Sequence, residues 1–171
     1  MSTNATIVLE ISKDKKGKTY QYKTPNCFKY DTPSVTIPNN NNNNGDYVEV
    51  YVHWDGYPKG VGKNIINFLK DYENNKSVYE DKFDYIFENL FACGDMSTIG
   101  TPYQAWRGNE WEYTYPKFHK DIPQPNFDYQ YLISDKNDNW DVGVRELEYD
   151  KSGNKTFKPY FSSFEETLKE E

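Results

Sequence analysis

The chain has 171 residues, a net charge of -7, 36% hydrophobic residues and 18% aromatic residues. This length predicts one domain spanning 1–171 that can bury a core without disulfide staples, and 16 tyrosines with 10 phenylalanines exclude wholesale disorder. The acidic balance argues against a nucleic-acid groove, no apolar run approaches a membrane span, and Cys27 and Cys93 lack metal-type spacing and read as free thiols in a reducing compartment.

The start, MSTNATIVLEISKDKK, has no leading basic cluster and only a short apolar run. A cytoplasmic protein is expected from it, in the host cytoplasm if the chain is phage-encoded. Ala5 to Ile11 reads as a first strand, rich in β-branched residues. Gly17 closes a polar turn, and Lys18 to Tyr22 is expected to return as the partner strand of a hairpin. Thr24 to Pro38 is punctuated by prolines and reads as irregular. The asparagine run from Asn39 to Asn44 has no side chains to build a core, so a flexible loop is expected over 38–45.

Tyr47 to Trp54 alternates. Val48, Val50, Val52 and Trp54 point one way; Tyr47, Glu49, Tyr51 and His53 point the other. The valine face belongs in the core. Asp55 and Gly56 break the strand, and Pro58 suits a first helical turn. Val61, Ile65, Phe68, Leu69 and Tyr72 then recur at helical spacing. Tyr79, Phe83, Ile86, Phe87 and Leu90 repeat that spacing in a second helix, with Gly94 as its C′ residue.

Trp106 to Gln124 is aromatic and polar without clean periodicity. Tyr129 to Ser134, Trp140 to Tyr149 and Lys155 to Tyr160 read as a strand meander. Ser163 and Glu166 have capping-box spacing, which predicts a short C-terminal helix. Strands, two helices and more strands, without regular strand–helix alternation, predict an α+β fold. Its sheet is expected to be mostly antiparallel, with two central helices packed on one face.

Three blocks carry a resemblance: MSTNATI, YVHWDGYPKGVGKNIINFL and GDMSTIG. Together they resemble a group of small bacteriophage and bacterial proteins. Members of that group begin Met-Ser/Ala-Thr-Arg, carry His-Trp-Asp-Gly-Tyr-Pro followed by Val-Gly, and later show Leu-Gly-Asp-x-Ser-x-Leu-Gly. The match covers roughly residues 1–12 and 47–100. This chain departs from the pattern at Asn4, where Arg is usual, and at Cys93, where Leu is usual. The resemblance implies a phage or mobile-element setting. It carries over no catalytic residue and no cofactor.

The chemistry expected from the residues centres on the corner between strand and helix. His53 and Asp55 stand two apart, so on a strand they share a face and could meet one ligand or metal, with Asp95 or Glu49 as further ligands. A structural reading competes: Asp55 caps the turn and His53 bonds to it or to backbone. Asp95 and Ser97 in the GDMSTIG loop either contact a polar ligand or cap a local turn. No complete phosphate loop or nucleophile elbow is present.

The leading expectation is therefore a protein that binds a small anionic, nucleotide-like ligand. The ligand-contacting residues are Tyr51, His53, Trp54, Asp55, Tyr57, Lys63, Asp95 and Ser97. No catalytic residue, resident metal or cofactor is assigned. In a phage such a protein could sequester a host immune signal. The alternatives are a metal-dependent phosphoester hydrolase using His53, Asp55 and Asp95, and a virion or host-factor-binding protein in which the motif is purely structural.

Overall fold

The computed structural model describes residues 3–21, 34–39, 46–52, 56–74, 76–91, 104–107, 110–113, 117–123, 128–136, 139–157 and 162–163. The asparagine run beyond Asn39, the expected cap at Gly94 and the C-terminal helix expected after Ser163 lie outside the described residues.

The first strand, β1 (Ala5–Glu10), is buried on both faces. Its run of apolar and β-branched side chains suits a central strand flanked on both sides. It is followed by a 3-10 turn at Lys13–Lys15, then β2 (Thr19–Gln21) and β3 (Ser34–Thr36). The expected opening hairpin does not form. β2 pairs with β3 instead, because both edges of β1 are taken by other strands.

Those partners are β4 (Tyr47–Val52), antiparallel to β1, and β8 (Tyr129–Lys136), parallel to it. Between them in sequence come β5 (Gln104–Arg107), β6 (Glu110–Tyr113) and β7 (Lys117–His119). After β8 follow β9 (Asn139–Tyr149), β10 (Lys155–Phe157) and β11 (Ser162–Ser163). The main sheet has the order β10-β9-β8-β1-β4-β7, and β11 adds a short pairing to β9. The fold is α+β, and the sheet is mixed: the β1–β8 pair is parallel beside antiparallel neighbours. β8, β9 and β10 form the expected meander. Its second turn closes through Gly153 at φ 82°, with the Asp150 carboxylate accepting from the Ser152 and Asn154 amides.

The stretch from Trp106 onward holds a hairpin that periodicity missed. β5 and β6 pair with Trp106 opposite Trp111. In the sequence, the dipeptide Gly108-Asn109 between aromatic runs is a hairpin signal.

A π-helical turn at Pro58–Gly62 leads into α1 (Lys63–Lys70), and α2 (Lys82–Ile86) continues as a π-helical turn to Phe91. Ala5, Ile7 and Leu9 of β1, the three valines of β4, and Tyr131 and Ile133 of β8 share one sheet face. Ile65, Phe68 and Leu69 of α1 and Phe83 and Ile86 of α2 join them in one core. Val48, Val50 and Val52 are each no more than 1% exposed, as the alternation requires. Phe68 and Tyr85 stack at 4.4 Å between ring centroids, which ties α1 to α2.

Candidate functional site

Three places bear on function: the strand-to-helix corner, a buried ion network under α2, and a cavity beside that network.

At the corner, the Gly56 amide donates to the Thr3 carbonyl at 2.8 Å. The Gly56 carbonyl accepts from the buried Tyr131 hydroxyl at 2.6 Å. A Cβ at position 56 would lie 2.8 Å from both the Ala5 Cβ and the Asn4 carbonyl carbon. Only glycine lets the chain pass this close to the start of β1. Pro58 is buried at the helix start, while Tyr57 is 40% exposed and Lys63 is exposed.

Of the residues expected to hold a ligand, Tyr57 and Lys63 thus stand at the surface of this corner. Tyr51 lies in β4, but its side chain is outside the described residues, as are His53, Trp54, Asp55, Asp95 and Ser97. Glu49, weighed as a metal ligand, faces His119 instead, with Nε2 to Oε1 at 3.1 Å. Among the described residues no group of three His, Cys, Asp or Glu side chains is placed to hold a metal ion.

The ion network ties the first turn to the second helix. Asp81 caps α2: its Oδ1 accepts from the Asp84 amide at 2.9 Å, and its Oδ2 lies 2.6 Å from the Lys15 ammonium. Asp84 is 3% exposed and Lys15 5%. Around the Asp84 carboxylate stand the Tyr20 hydroxyl at 2.6 Å, the Lys18 ammonium at 2.8 Å and the Lys15 ammonium at 3.4 Å. Burial works against the Asp84 charge. Hydrogen bonds from Lys18 and Tyr20, together with the charges of Lys15 and Lys18, outweigh it and hold the carboxyl below its ordinary range. Burial also opposes the Lys15 charge, and Asp81 and Asp84 outweigh it and raise that pKa. Removing one partner from so fully paired a buried charge leaves the others uncompensated.

Beside the network opens a cavity of about 460 Å³. Tyr72, Phe83 and Trp140 form its aromatic walls, and Asp14, Lys82 and Asp135 bring charge. Topology explains the meeting of such distant residues. β1 and β8 run parallel, so their C-terminal ends lie on the same side of the sheet. The 3-10 turn follows β1 there, and Asp135 sits opposite Trp140 where β8 pairs with β9. The 3-10 turn Asp71–Asn74 that follows α1 adds Tyr72, and the start of α2 adds Lys82 and Phe83.

The charges of the cavity divide into engaged and open groups. Asp81 is held by Lys15, and Glu73 pairs with Lys76 at 2.9 Å. Among the described residues Asp14, Lys82 and Asp135 have no ion-pair partner. The Lys82 ammonium lies 5.7 Å from the centre of the Tyr72 ring. Burial lowers the Lys82 pKa, although Glu73 and Asp135 pull it upward.

None of these cavity residues was expected from the sequence. No local signal joins them, since their meeting depends on the parallel pairing of β1 with β8. No family model, no curated protein and no solved structure matches this chain.

Proposed function

We propose that the chain is a small-molecule-binding protein whose pocket is the cavity beyond the C-terminal ends of β1 and β8. One observation carries this reading. A cavity of about 460 Å³ brings aromatic side chains together with open groups of both charges, and its size is that of a site for one small ligand. The corner supports the anionic ligand expected from the sequence less well. It offers an exposed ring and a lysine, and its glycine is explained by packing against β1. The resemblance to phage-borne proteins supports sequestration of a small host molecule as the purpose of binding.

The test is to purify the protein from cells of its natural host, denature it by heat and identify what is released by mass spectrometry. A molecule released intact, carried by wild type and lost from Trp140→Ala, is the expected result. If wild type carries nothing, and no member of a metabolite library raises its melting temperature, the reading is wrong.

A further inference from the structure

Resting on the pocket reading above, we infer that the ligand is a small zwitterion with a flat apolar body, of the kind an aromatic amino acid represents. The open groups of the cavity are two carboxylates, Asp14 and Asp135, and one ammonium, Lys82. A purely anionic ligand would meet the two carboxylates as like charges. A purely cationic ligand would meet Lys82 as a like charge and offer its ammonium no carboxylate. A molecule carrying one ammonium and one carboxylate satisfies both sets. Its flat body lies against Tyr72 and Trp140, where ring stacking and exclusion of water act together. The network around Asp84 leaves this assignment intact, because Lys15 is already neutralised by Asp81 and Asp84. Burial of the Lys82 stem adds to the argument. A partly desolvated ammonium gains more from a ligand carboxylate than a fully hydrated one does.

Calorimetric titration with three indoles of matched shape tests the inference: tryptophan as the zwitterion, tryptamine as the cation and indole-3-propionate as the anion. Wild type should bind tryptophan roughly tenfold tighter than either of the others, the worth of one charge-assisted hydrogen bond. Lys82→Met should erase the preference of tryptophan over tryptamine. Asp135→Asn should weaken tryptophan and tryptamine while sparing indole-3-propionate. Circular dichroism and melting temperature confirm that both variants are folded, and the ligand order in wild type needs no variant. Binding of all three indoles within twofold of one another overturns the charge assignment and leaves the pocket standing. If none of the three binds while the protein from its host still carries a molecule, the zwitterion is wrong and the pocket survives. If nothing binds and nothing is carried, the pocket reading has failed as well.

Discussion

The corner at Gly56 and the cavity at Lys82 lie at opposite ends of β1. The extended run from Thr3 to Ser12 sets them roughly 30 Å apart, at about 3.3 Å per residue. They also use polar groups in opposite ways. At the corner both backbone groups of Gly56 are spent on the fold: its amide on Thr3, its carbonyl on Tyr131. At the cavity three charged groups have no ion-pair partner among the described residues. Unusual local sequence marks a place where the chain must turn. Open charge beside aromatic walls marks a place where something else can bind. The contrast can be broken by substitution, and five changes at four positions separate the two ends.

The largest effect is expected in the ion network that supports the cavity from below. Asp84→Ala should cost about 3–5 kcal/mol, because it strips the buried Lys15 of one of its two carboxylates and leaves the Tyr20 hydroxyl without its acceptor. Chemical denaturation measures this. The milder Asp84→Asn carries a pH signature. A carboxyl whose pKa is lowered by folding contributes stability that is fully present above the unfolded value, about 3.9. That stability is lost as pH falls through the lower folded value. The gap in melting temperature between wild type and Asp84→Asn should therefore be wide at pH 7 and narrow as the pH drops below about 4. A gap that is constant across this range would show that the charge of Asp84 does nothing for the fold.

At the corner, Gly56→Ala should cost about 2 kcal/mol, since the new methyl meets backbone atoms that cannot rotate away. Tyr131→Phe should cost about 1–2 kcal/mol by leaving the buried Gly56 carbonyl without its donor. Both are read from denaturation midpoints. Stability equal to wild type in either would show that the corner is not clamped to β1.

At the cavity the expected change in stability is the smallest. Asp135→Asn should shift it by less than about 0.5 kcal/mol, as for other exposed sites, while binding suffers. A large loss of stability there would make Asp135 part of the fold and dissolve the contrast between the two ends.

What the sequence showed follows the same division. The valine alternation of β4, the helical spacing of α1 and the meander of β8, β9 and β10 are local patterns, and each is visible in the chain itself. Gly56 and Pro58 announced the corner for the same reason. The partner of β1 was misread, because an apolar run tells that a strand is buried on both faces but not which strands flank it. The cavity stayed invisible as a consequence. Asp14, Lys82 and Asp135 are neighbours only because β8 lies parallel to β1, and that pairing joins residues more than a hundred positions apart in the chain. The buried pairing of Lys15 with Asp84 was hidden likewise, since a lysine in the KDKKGK turn reads as solvent-facing.

The central claim is that the ligand lies at the cavity end of β1 and not at the corner. A crystal structure of the protein purified from its natural host tests it most directly. Density for a small molecule is expected against Trp140, within reach of Lys82 and Asp135. Density beside Tyr57 and Lys63, with only water against Trp140, would contradict it.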